Sequence, residues 1–266
     1  PSPVGIADII TFTTHKTLTG PRGACIITTD PGLTKKIDRA VFPGEQGGPH
    51  VHVFAALATL FKLAQTEQFK QLQHQIVKNC KALNDQLAKR GFHMSYGGTS
   101  THLTNLDCKS VTGPDGTPLS GDMAARILDI VGLVTNRNTI PGDRTALNAS
   151  GIRLGATWLT QRGFKEADME RVADIIADVL LATVPYSVET RQGKALRAKI
   201  DFTVLETAKL KVREMAENAG IDYTVERHGY PHFYYLDDPF PAGQTALDMT
   251  GPNVRTFANY AFTSDV

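Results

Sequence analysis

The stretch Thr13-Thr14-His15-Lys16-Thr17-Leu18-Thr19-Gly20-Pro21-Arg22-Gly23 joins two runs of β-type residues, Asp8 to Thr14 (DIITFTT) and Ala24 to Thr29 (ACIITT). Both runs are rich in Ile and Thr, and the Thr-Gly-Pro-Arg-Gly segment between them is turn chemistry. A gap this short permits an antiparallel hairpin but not a parallel crossover. The lysine in the middle is an odd structural choice. Lysine is strongly hydrated and costly to bury unless it is used. An exposed strand-end lysine is one reading. The other is a desolvated amine that attacks a carbonyl and forms a Schiff base.

Outward from this hairpin, short β-type runs alternate with periodic helices, which predicts an α/β class. The run Val51 to Leu63 is apolar on several sides and reads as a buried helix. Phe69, Leu72, Ile76, Cys80, Leu83 and Leu87 recur at helical spacing, with Gly91 placed to end that helix. A strand follows near His102 to Cys108, then a turn at Gly113-Pro114-Asp115-Gly116 and a short helix capped by Ser120. Strands are expected near Leu133–Thr135 and Ile152–Ala156. A helix from about Glu166 to Ala182 should bury Val172, Ile175, Ile176, Val179 and Leu180. Past Pro185 the charge balance turns acidic, which suggests a boundary near 186–200. There Asp201 caps an amphipathic helix that ends near Gly220. An aromatic segment, Tyr230 to Tyr235, comes next.

The chain has 266 residues, with 28 Lys plus Arg against 27 Asp plus Glu, a formal charge of +1. That balance gives no support to an electrostatically driven nucleic-acid or membrane partner. No apolar run approaches the ~20 residues of a membrane span. Three scattered cysteines, Cys25, Cys80 and Cys108, read as buried free thiols of a reducing cytosolic or organellar compartment, with a cytoplasmic location expected, rather than a disulfide framework. The start, Pro1-Ser2-Pro3-Val4, has neither an initiator Met nor a signal-peptide pattern, so the expectation is a chain cut from something longer. No common nucleotide or metal motif occurs, and the His50/His52 pair reads as structural or site-lining, with no metal.

The string THKTLTGPRG closely resembles the pyridoxal phosphate (PLP) lysine motif of the serine hydroxymethyltransferase family. Four further segments match in the same order: VFPGEQGGPHVH (41–52), YGGTSTHL (96–103), NRNTIPGD (136–143) and SGIRLGATWLTQRGF (150–164). The resemblance covers roughly residues 1–184. It implies the C-terminal part of a fold-type-I PLP-dependent transferase. Residues 1–62 would be the edge of the PLP-binding large domain, 63–185 the small αβ domain, and 186–266 an α-helical or irregular extension.

Carried across by position, the resemblance makes Lys16 the Schiff-base lysine, with His15 and Thr13 lining the cofactor and Arg22 fixing the loop. Gly47 and Gly48 match glycines that reach the PLP phosphate across a dimer interface; lacking Cβ, they let backbone approach an anion, and a plain turn is the alternative. Arg153 matches the arginine that holds the amino-acid carboxylate, a role suited to a guanidinium fork; a buried structural ion pair is the alternative. Asn138 matches a folate-contacting asparagine, or is a plain turn residue. Glu45 and Thr19 depart from the usual family residues, and the loop from Asn138 to Arg153 is slightly short.

The implied activity is interconversion of serine and glycine with one-carbon transfer to tetrahydrofolate, by a homodimer or tetramer. It also implies that a PLP-stacking His, an Asp for the pyridine nitrogen and an acid/base Glu lie upstream, in an N-terminal half on the same or a separate chain. The tail 186–266 does not match the family. Its end, Leu247 to Asn253 and on through Phe257 to Asp265, resembles a segment near the start of the aminomethyltransferase (glycine-cleavage T protein) domain. Two other readings stay open at this point. One is another fold-type-I enzyme such as a threonine aldolase, which the NRNTIPGD loop disfavours; the other is a non-catalytic assembly module.

Overall fold

The computed structural model describes residues 2–191 and 193–221. The aromatic segment Tyr230–Tyr235 and the aminomethyltransferase-like stretch Leu247–Asp265 lie outside the described residues. Two compact units divide the chain, Pro1–Val212 and Arg213–Val266.

The first unit opens with the expected hairpin. Strands β1 (Ile10–Thr13) and β2 (Ala24–Ile27) pair antiparallel, with Ile10 opposite Ile27 and Thr13 opposite Ala24. Helix α1 (Pro31–Arg39) starts where the Asp30 carboxylate accepts the amides of Gly32 and Leu33, a good N-cap with proline in the first turn. An irregular segment, Ala40–Glu45, leads to α2 (Val51–Ala64). Here one expectation is corrected. The helix forms, but of its side chains only Leu60 is buried, while Val51, Phe54 and Leu63 are more than half exposed. Its sequence is that of a covered helix, and the described residues supply almost no cover.

The core lies further along. Helix α3 (Glu67–Lys89), capped by Thr66, buries Ile76, Cys80, Leu83 and Leu87 and ends at Gly91, whose φ is +94°. Strands β3 (His93–Met94), β4 (Leu103–Asp107), β5 (Asn136–Asn138) and β6 (Gly151–Gly155) form one antiparallel sheet in the order β3-β4-β6-β5. The strand expected at Leu133–Thr135 thus begins at Asn136, because pairing to β6 selects the polar half of that run. Helices α4 (Gly121–Ile130), α5 (Thr157–Gln161) and α6 (Glu166–Leu181) complete the layer, and α3 packs along α6.

Alternation along the strands decides which face is covered. Thr104 and Leu106 of β4 lie opposite Leu154 and Ile152 of β6, and all four are buried against the helices. Gly151 is held in this packing: a Cβ there would sit 2.4 Å from Ile140 Cγ2 and 3.1 Å from the Leu106 carbonyl. No side chain fits that space.

A second hairpin, β7 (Val184–Thr190) with β8 (Gly193–Lys199), fills the region that charge balance marked as a boundary. Its Ser187 amide donates to Asp115 Oδ2 at 3.0 Å, which ties it to the 113–117 turn. Helix α7 (Phe202–Asn218) follows, with the Thr203 amide on Asp201 Oδ1 at 2.7 Å.

Candidate active site

Thr13, the last residue of β1, is exposed; the residue that fixes the lysine loop is its neighbour Thr14, which is fully buried. The Thr14 amide donates to the Gly23 carbonyl at 3.0 Å, its hydroxyl to the Pro21 carbonyl at 2.8 Å, and its own carbonyl accepts the Gly20 amide at 2.8 Å. The signal for Thr14 was present in the alternation Ile10, Phe12, Thr14, continued one step past the strand.

With both ends of the loop clamped, Lys16 starts a tight turn whose Thr19 amide donates to the Lys16 carbonyl at 2.8 Å. Lys16 itself is exposed. His15 is half-buried, and its Nδ1 is buried with no hydrogen-bond partner among the described residues. Arg22 is exposed. Gln73 of α3 reaches the Thr17 carbonyl at 3.4 Å, a long contact that runs from the small layer to this loop.

Arg153 occupies the other face of the sheet from the core. It is exposed, lies opposite Asn105 on one side and Asn136 on the other, and has no acidic partner among the described residues. The buried ion pair weighed for it is therefore not what the fold makes. Asn138 is the last residue of β5 rather than a turn residue, and its register places it on the same face as Arg153. The structure thus brings Arg153 and Asn138 together on one open surface.

Asp143, in the same PGD segment, holds the intervening loop. It accepts the amides of Ile140 and Ser150 at 3.0 and 2.8 Å and the Ser150 hydroxyl at 2.5 Å. Desolvation raises its carboxyl, and these hydrogen bonds outweigh that and hold it below the usual carboxylate range. His102, just before β4, sits near Arg153; burial first, and the arginine's charge second, push its imidazole below the ordinary value of 6.5. Both residues lie inside two of the five motifs without being singled out there; the folding of the 139–150 loop makes the surroundings of Asp143, and the register of β4 against β6 those of His102.

Gly47 and Gly48 are exposed, with no atom within 4 Å of where a Cβ would sit, so their backbone is open to a ligand. His50 and His52 stack edge-on with ring centres 5.6 Å apart, and no group of three metal-type side chains occurs among the described residues. No helix of the described residues is long and apolar enough to cross a membrane.

The family model for serine hydroxymethyltransferase matches residues 1–176. The chain belongs to the serine hydroxymethyltransferase family. A serine hydroxymethyltransferase of Caenorhabditis briggsae is 41% identical over 231 residues, covering 82% of this chain and 44% of that protein. One of Mycoplasma mobile is 42% identical over 210 residues, covering 79% of this chain and 48% of its own length. The chain therefore spans about half the length of these curated relatives. A match over 82% of the chain is more than residues 1–185 can supply. Likeness to the family consequently runs into the tail that the motifs alone leave unmatched, which corrects that expectation. The mixed helix and strand architecture agrees with the α/β, fold-type-I assignment.

Proposed function

We propose that the whole protein is a PLP-dependent glycine hydroxymethyltransferase, in which serine yields glycine and its hydroxymethyl carbon passes to tetrahydrofolate. The observation that carries this reading is Arg153. A guanidinium exposed on a sheet face, in no ion pair among the described residues, is a fork free to take a planar carboxylate from outside.

The residues of the lysine loop, and the separate Gly47-Gly48 segment, fit a cofactor with an aldehyde and a phosphate. An exposed primary amine stands at a clamped turn, an imidazole nitrogen beside it lacks a partner, and two glycines present bare backbone. Lys16 would hold PLP, with His15 and Thr13 beside it, Arg22 steadying the loop and Gly47 and Gly48 meeting the phosphate. PLP, when bound, supplies an electron sink for the carbanion left as the carbon departs. Arg153 would bind and orient the amino-acid carboxylate, and Asn138, on the same face, would contact folate. The reading includes a homodimer or tetramer, an N-terminal half on the same or a separate chain, the division at 1–62, 63–185 and 186–266, and a cytoplasmic location.

The test uses the full protein. Addition of PLP should give a visible absorption band that Lys16→Ala abolishes, and serine cleavage should be stimulated by tetrahydrofolate. Absence of the band sinks the reading. Aldol cleavage indifferent to folate selects an aldolase instead.

A further inference from the structure

Asn105 on β4 and Asn136 on β5 flank Arg153 of β6 in one cross-strand row on the open face. Directly opposed side chains on a sheet lie close enough to interact. The two asparagines differ. Asn136 is exposed, and its Nδ2 leans on the Arg137 carbonyl at 3.5 Å. Asn105 Oδ1 is buried and receives no hydrogen bond among the described residues. A buried carbonyl oxygen without a donor is uncommon and unfavourable, so it marks a place where a donor arrives.

Arg153 is the donor at hand. A guanidinium has five N–H groups, and a carboxylate taken bidentately uses two of them. The rest set the angle of the fork if something holds them. We propose that Asn105 is a positioning residue for Arg153, its Oδ1 taking one guanidinium N–H as the arginine closes on an amino-acid carboxylate. This rests on reading Arg153 as the carboxylate clamp. A fork held from the side loses less freedom on binding, so Asn105 acts through Arg153 without touching the ligand.

Glycine binding to the full, PLP-loaded protein, measured by calorimetry, tests it with four proteins: wild type, Asn105→Ala, Arg153→Lys and the double variant. Asn105→Ala should weaken glycine about tenfold, the scale of one hydrogen bond to a charged group. In the Arg153→Lys background the same change should cost less than about twofold, because the two residues act as a unit. Asn105→Leu fills the site without an acceptor, serves if the alanine variant folds poorly, and should behave alike; Asn105→Gln should recover part of the affinity. Equal losses in both backgrounds, or no loss with Asn105→Ala while Arg153→Lys weakens glycine, overturn the inference and leave the clamp standing. Unchanged glycine binding by Arg153→Lys overturns the clamp reading itself.

Discussion

Residues 2–64 and residues 67–183 use the same local rules, an aspartate or threonine N-cap on a helix here and a tight antiparallel pair there. Their interiors are unlike. Among residues 2–64 only Thr14 and Leu60 are buried, whereas the later region buries whole faces of α3, α4 and α6, with α6 packed on α3 and α4. Local sequence is enough to shape α2, but a core needs a second surface, and within the described residues α2 has little of one. The comparison breaks most easily at its core. In this chain Leu106→Ala should cost about 3 kcal/mol of unfolding free energy, the usual range for emptying a full leucine site. Phe54→Ala, at a side chain 55% exposed, should change it by less than about 0.5 kcal/mol. Urea titration checks both, and similar costs would end the distinction.

A polar node inside the later region gives the next effect. Asn79 is fully buried on α3, and its Nδ2 donates to Thr160 Oγ1 at 2.9 Å and to the Phe164 carbonyl at 2.7 Å. Its Oδ1 accepts from Gln75 Nε2 at 2.8 Å. Asn79→Ala strands the Phe164 carbonyl, so a loss of about 1–3 kcal/mol is expected from the unsatisfied group. Asn79→Leu should do no better, because Leu replaces only one side of the pairing. A neutral Asn79→Leu, read by the same titration, would mean that apolar packing alone joins α3 to the α5–α6 corner.

The amphipathic helices of the later region were legible because each buries one stripe: the spacing of Ile76, Cys80, Leu83 and Leu87 is the core of α3. The apolar run of α2 was legible as a helix and misleading as a buried one, since periodicity reports what a surface needs and not what covers it. The five motifs single out Lys16, Arg153 and Asn138 as candidates. Asn136 and His102 lie inside two of those motifs and Asn105 outside all five; that the three are neighbours of Arg153 follows only from register and burial. Thr14 lay between, readable from alternation but eclipsed by the lysine two residues on.

Gly20 is where the first region most resembles the second. A Cβ on Gly20 would lie 2.3 Å from Leu60 Cδ2 and 2.9 Å from the Thr14 carbonyl, so the two buried residues of 2–64 meet at this glycine. The leucine end can move; the backbone oxygen cannot do so without shifting the lysine loop. Gly20→Ala should cost about 1–3 kcal/mol locally, as overpacking does. If the regions open separately, faster amide exchange will appear in β1, β2 and α2, with α3 and α6 unchanged. Acceleration in all of them would join the two regions into one cooperative unit.

The smallest effect sits on the sheet face that carries Arg153, which is exposed among the described residues. His102 is half-buried beside Arg153, and burial and then that positive charge hold its pKa below 6.5. Between its folded and unfolded values the unfolded chain binds more protons, so stability rises with pH across that window. The full contribution is present above the unfolded value and falls away as pH drops toward the folded one. Arg153→Met removes the second cause and leaves the first. A nuclear magnetic resonance titration of His102 should therefore move upward yet stay below the ordinary histidine value. A carboxylate seated on Arg153 should push it in the same direction in the wild type, because it neutralises the same charge. An unmoved titration in Arg153→Met would separate the two side chains, and with them the picture of a single charged surface spanning β4, β5 and β6.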